Sequence, residues 1–117
     1  MAQDNFKGLE GYYAFKLKMP HVEELEGKLH VYCENGENCV TLRAKGKDFP
    51  IRGFKLQEDG KFHATAKVFK YTVPVSLETD LYYGLILSVS YQKKDFPVVL
   101  ETITQFDYDE GGVATPL

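Results

Sequence analysis

The sequence predicts an all-β fold: an eight-stranded antiparallel up-and-down β-barrel. Three observations lead there. Residues 81–106 alternate in apolar character with a period of two, the same period recurs in six further stretches, and short turn signals separate them. That period puts every second side chain on one face, as in strands with one buried side. Eight sequential strands on short turns make a meander, and closing it removes the two raw edges an open sheet would expose.

Residues 1–10 are polar and mixed apart from Phe6 and Leu9, and read as an arm across one end of the barrel. The first strand, 12–19, puts Tyr13, Phe15, Leu17 and Met19 on one face. Pro20 stops it, because proline cannot donate to a ladder. The second, 25–33, turns Leu29, Val31 and Cys33 inward, and Asn35-Gly36 after it is the best hairpin signal in the chain. The third, 39–45, carries Val40, Leu42 and Ala44 inward. In the fourth, 49–56, the apolar phase slips between Ile51 and Phe54, and Gly53 at the slip fits a β-bulge.

Glu58-Asp59-Gly60 turns the chain into the fifth strand, 61–69, with Phe62, Ala64, Ala66 and Val68 on one face. The sixth, 71–77, has Tyr71, Val73, Val75 and Leu77 inward, and Pro74 on the outward parity marks an edge, a bulge or a broken ladder. The last pair, 81–91 and 96–106, flanks a four-residue loop, Gln92-Lys93-Lys94-Asp95. That loop sets Tyr91 opposite Phe96 and Val89 opposite Val98. Residues 108–117 read as a flexible tail, no stretch reads as a convincing helix, and residues 1–117 form a single domain.

Composition narrows the function classes. A net charge of −3 and a pI near 5.6 point away from nucleic acid, which calls for a basic stripe. No run approaches the roughly 18 apolar residues of a membrane span. The opening MAQDNFKGLEG lacks the apolar segment of a signal peptide, so the chain reads as cytoplasmic or as one whose leader has been removed. A two-residue turn at Asn35-Gly36 pairs Cys33 with Asn38 and puts Cys39 on the other face, whereas an odd-length loop would bring the cysteines together. Two free thiols is the preferred reading.

Gly11-Tyr12-Tyr13 at the start of the first strand, followed by serial hairpins, resembles the lipocalin-like or calycin superfamily across residues 9–107. The resemblance is nearer to small bacterial lipocalin-like domains, through Glu26-Gly27-Lys28-Leu29, Pro50-Ile51-Arg52-Gly53 and Asp59-Gly60-Lys61-Phe62. It implies a barrel that binds a small hydrophobic molecule and in some members acts as an enzyme. Tyr13 stands where lipocalins carry the tryptophan of Gly-x-Trp, and no arginine follows Arg52 to match their usual one near the last strand.

No motif specifies chemistry. His21 lies in a loop, His30 and His63 have outward parity, and no HxH, HExxH or CxxC occurs, so neither a metal nor a cofactor is expected. Glu23, Glu24 and Glu26 cluster by the first turn, as solvated acids commonly do. Above this background stands tyrosine on the apolar parity. Tyr13, Tyr71, Tyr83 and Tyr91 share the inward face with Phe15, Leu85 and Leu87. A buried hydroxyl needs a partner, and the polar end of a ligand is one. These seven residues are the candidate ligand-binding set, and a small hydrophobic molecule in the lumen is the expected partner. Two alternatives remain. One is an isomerase, cyclase or lyase using the same lumen. The other is a filled-core accessory module that binds a partner domain or a second copy through its surface.

Overall fold

The computed structural model describes Phe6, residues 8–21 and residues 23–109. The remainder of the arm and residues 110–117 of the expected tail lie outside the described residues. Ten strands form two five-stranded antiparallel sheets. The first contains β1 (Gly11–Leu17), β2 (Leu25–Glu34), β3 (Glu37–Ala44), β4 (Lys47–Ile51) and β10 (Glu101–Ile103), ordered β10-β1-β2-β3-β4. The second contains β5 (Lys55–Leu56), β6 (Phe62–Val68), β7 (Tyr71–Asp80), β8 (Gly84–Tyr91) and β9 (Lys94–Val99) in sequence order.

The meander is therefore present, but its ladders are divided between two sheets instead of running round one closed eight-stranded barrel. The chain changes sheet twice. Between β4 and β5 the phase slip at Gly53, with φ at +75°, ends one ladder and starts another, where a bulge within one strand was expected. Between β9 and β10 the break is the single residue Leu100, whose N–H donates to the Leu85 carbonyl at 3.0 Å. At the two seams β4 lies beside β6 and β1 beside β9.

Proline explains the division physically. Pro50 and Pro97 sit on β4 and β9, the outermost strands at the seams. A residue without an N–H is tolerated on an edge. Pro74 pairs with Thr65 of β6, while the β7–β8 ladder begins only at Val75, so it lies where one ladder is already broken.

Three hairpins close on two residues with positive φ: Asn35-Gly36, Lys45-Gly46 and Gln92-Lys93. Such turns match strand twist. The first sets Cys33 opposite Asn38 as expected, and both cysteines are free thiols. The third lacks glycine and overturns the four-residue loop. Val89 pairs with Phe96 and Leu87 with Val98, a shift of two residues that keeps the same side chains inward.

The start of that hairpin also differs from expectation. Residues 81–83 form a turn, because Asp80 Oδ1 accepts the backbone N–H groups of Tyr82 (2.7 Å) and Tyr83 (3.0 Å). Such a side-chain-to-backbone closure competes with a strand ladder. At the other end, α1 (Gln105–Asp109) replaces the end of the expected last strand. Thr104 Oγ1 accepts the Asp107 N–H at 3.0 Å, an N-cap. Tyr108, expected in the tail, is buried against the outer face of the first sheet.

The core lies between the inner faces. Phe6, Phe54, Phe62, Leu77 and Leu85 fill one end. Towards the other end Phe15, Leu17 and Leu42 of the first sheet face Ala66, Val73, Val75 and Val89 of the second.

Candidate functional site

The filled end is sealed by the arm. Phe6 is 0% exposed, with ring centroids 5.4 Å from Phe54 and 4.9 Å from Phe62. Asn38 fixes it there: Oδ1 accepts the Phe6 N–H at 2.9 Å and Nδ2 donates to the Phe54 carbonyl at 3.0 Å.

At the other end lies a cavity of about 490 Å³. Its walls come from both sheets. Phe15, Leu17, Leu29, Val40, Leu42 and Ile51 face Ala66, Val68, Val73, Val75, Leu87 and Val89. Strand alternation alone aims these side chains inward. Ala66 and the valines of the second sheet stop short of Phe15, Leu17 and Leu42 opposite, whereas three phenylalanines meet at the sealed end. The volume falls within the range typical of small-molecule sites.

The mouth is built from loops and turns. Met19, His21 and Glu23 come from the β1–β2 loop, Lys45 from the β3–β4 turn, Phe69 and Lys70 from the β6–β7 turn, and Tyr71 and Tyr91 from strand ends. Lys45 Nζ lies 3.5 Å from Glu23 Oε2 and 5.9 Å from the Phe69 ring centroid. Phe69 packs on Phe49 at 4.7 Å, and Tyr71 meets Tyr91 edge-on at 6.2 Å. Phe69 is 43% exposed and has φ at +57°, a left-handed conformation in which a bulky residue is strained by roughly 1–2 kcal/mol.

Four of the seven candidate residues, Phe15, Tyr71, Leu87 and Tyr91, line this cavity. The other three stand elsewhere. The Tyr13 hydroxyl donates to the Leu9 carbonyl at 2.7 Å, tying down the arm, and burial pushes its pKa up. Leu85 is buried where the chain passes from β9 to β10. Tyr83, expected inward, is 61% exposed at the sealed end, with its ring stacked on Tyr82 at 5.4 Å. The strand parity that put Tyr83 inward does not apply, because the Asp80 turn intervenes. The candidate set leaves out Met19, His21, Glu23, Lys45, Phe69 and Lys70. Met19 reads inward on the first strand but is not counted among the ligand residues, Lys45 and Phe69 read as strand ends and not as parts of turns, and His21, Glu23 and Lys70 lie in connections that carry no periodicity.

Glu23 is the one carboxylate at the mouth among the described residues; Glu26 pairs outside with Lys16 at 3.3 Å. Among the described residues no three His, Cys, Asp or Glu side chains converge as metal ligands. No helix among them is long and apolar enough to cross a membrane. A second depression, of about 660 Å³, lies at the β1–β9 seam, where Lys16, Glu26, Lys28, Arg43 and Glu101 alternate with Ala14, Phe15, Ala44, Val98 and Val99.

The outer face of the first sheet carries a separate aromatic cluster. His30 stacks between Tyr12 (4.4 Å) and Tyr32 (4.7 Å), with Tyr108 of α1 above at 5.7 Å. Burial lowers the His30 pKa, outweighing the opposing pull of Glu10 and Asp109. Arg43 clamps α1. Its guanidinium sits 4.3 Å from the Tyr108 ring centroid, Nη1 donates to the Tyr108 carbonyl at 3.0 Å, and Nε and Nη2 donate to both oxygens of Asp48. Lys28 Nζ donates to the Asp107 carbonyl beside it.

The chain matches no known family model, no curated protein and no solved structure.

Proposed function

We propose that the protein is a small-molecule carrier or sensor, holding a hydrophobic ligand between its two sheets, which act together as one flattened, lipocalin-like barrel. The observation that carries this reading is the pairing of a sealed end, plugged by Phe6, with an open apolar cavity at the other end. The wall below the mouth is almost wholly apolar, so a hydrophobic ligand entering it would remove apolar surface from water at roughly 25 cal/mol per Å². Contact between β4 and β6 and between β1 and β9 supports the barrel reading.

The test is titration with a neutral apolar fluorophore, N-phenyl-1-naphthylamine, alongside native mass spectrometry of the freshly purified chain. A micromolar Kd or a retained small molecule is expected. Ala66→Phe, which fills the cavity from β6, should abolish probe binding while unfolding cooperatively. Equal binding by this variant, or no probe binding by the parent chain, would sink the reading.

A further inference from the structure

The open end differs from the sealed end in charge as well as in shape. Turns of a meander alternate between its two ends, so each turn can be assigned to one of them. In the open-end turns, and within one residue of them, are Lys18, Lys45, Lys47, Lys70, Lys93 and Lys94, against Glu23 and Glu24. At the sealed end, among the described residues, the excess is reversed: Glu10, Glu34, Glu37, Glu58, Asp59 and Asp80 stand against Arg52, Lys55 and Lys61. A chain of net charge −3 thus presents its cavity through a basic rim. A cleft with low-dielectric walls and one sign of charge at its mouth concentrates ions of the opposite sign.

Two of those lysines belong to the cavity itself. Lys45 and Lys70 both line it, and Lys70 has no carboxylate within ion-pair distance among the described residues. Its contact is with the Tyr71 ring, 5.8 Å from the centroid. Lys45 is held by Glu23 at 3.5 Å, but both side chains are more than half exposed. A pair so exposed contributes little and yields easily to another anion. Below the two ammonium groups the wall becomes wholly apolar.

We propose that the ligand class is amphipathic anions: an apolar tail lies between the sheets and a single anionic head, such as a carboxylate, sits at the mouth between Lys45 and Lys70. This rests on the cavity being a ligand site. The head stays partly in water, which avoids the cost of burying a charge. The tail gains about 0.8 kcal/mol per buried methylene, so the tail supplies affinity and the rim supplies selection. The acidic sealed end, facing the other way, orients an approaching anion towards the mouth.

The test compares three ligands with the same twelve-carbon tail, each below its micellar concentration, displacing N-phenyl-1-naphthylamine. They are dodecanoate, dodecan-1-ol and dodecyltrimethylammonium. At low ionic strength dodecanoate should bind at least about 10-fold tighter than the cation, with the alcohol between them, and the gap should narrow at 1 M salt as screening sets in. In Lys45→Glu/Lys70→Glu, which alters only rim side chains, the order should reverse. Lys45→Gln/Lys70→Gln should level it. If all three ligands bind the parent chain equally, or the charge-reversed protein keeps the original order, selection by the rim is overturned and the apolar cavity reading stands. If the probe binds but none of the three displaces it, the amphipathic-anion proposal falls and the cavity reading stands; if no probe binds, the cavity reading falls and takes the proposal with it.

Discussion

Asn38 and Phe54 bind each other in both directions: Asn38 Nδ2 donates to the Phe54 carbonyl at 3.0 Å, and the Phe54 N–H donates to the Asn38 carbonyl at 3.1 Å. The amide oxygen left over receives the Phe6 N–H. One buried side chain on β3 therefore fixes both the crossing between sheets and the plug that closes one end. Asn38→Ala would strand the Phe6 N–H and the Phe54 carbonyl, at about 1–3 kcal/mol for each buried group left unmet. A stability loss of about 3 kcal/mol is expected in urea denaturation, with hydrogen exchange at Phe6 and Phe54 accelerating first. A loss below about 1 kcal/mol would mean that the arm is held by its aromatic contacts alone.

Gly27 is required by its neighbours. A Cβ there would lie 2.4 Å from the Arg43 carbonyl and 2.8 Å from Phe15 Cε1. The Arg43 carbonyl belongs to the adjacent strand and has little room to withdraw. Gly27→Ala should cost about 1–3 kcal/mol through overpacking. It should also weaken probe binding, because the Phe15 ring it displaces forms part of the cavity wall. Thermal melts and probe titrations of the same variant check both effects.

His30 makes stability depend on pH. Its folded pKa is lowered from the usual 6.5, mainly by burial. Between the two values the unfolded chain binds more protons than the folded one, so stability falls with decreasing pH. The contribution is complete above about pH 6.5 and is lost as pH falls towards the lowered folded value. Urea midpoints measured between pH 7.5 and pH 5 should decline. His30→Gln should flatten that part of the curve; the same slope in the variant would assign it to another group.

Arg43 couples α1 to the sheet by contacts that lysine cannot reproduce: a two-point hold on Asp48, a bond to the Tyr108 carbonyl and a stacked guanidinium. Arg43→Lys should lose about 1–2 kcal/mol and release α1, seen as faster exchange at the Tyr108 amide. The bond from Arg43 also holds the Asp48 pKa below its usual 3.8. The stability linked to it is present above that usual value and is lost as pH falls through the lowered one. This acid-side loss should shrink in the variant.

Much of the wall was legible in the sequence. Alternation assigned Phe15, Leu29, Val75, Leu87 and Val89 to the interior because a strand has only two faces, and even the mistaken register of the last hairpin kept them there. Asn35-Gly36 set its own hairpin because few residue pairs accept two positive φ values. Gln92-Lys93 adopts the same turn without glycine, and no local signal announces it. Tyr83 was misassigned because the Asp80 carboxylate, and not hydrophobic period, decides where β8 begins. The helix at Thr104 was hidden because one capped turn is too short to show a 3.6-residue period.

The sequence by itself determined an antiparallel meander, the parity of side chains in most strand interiors and, at Gly53 and Pro74, places where a ladder is disturbed. Those properties follow from local sterics and from hydrogen-bonding groups carried by single residues. Only the tertiary structure decided that the ladders divide into two sheets, that Phe6 closes one end and that the other end stays hollow. Each of those depends on side chains distant in sequence meeting, or failing to meet, across about 10 Å of interior. The same is true of the mouth. Glu23, Lys45 and Lys70 lie on three different turns, and their convergence on one opening is a property of the folded chain.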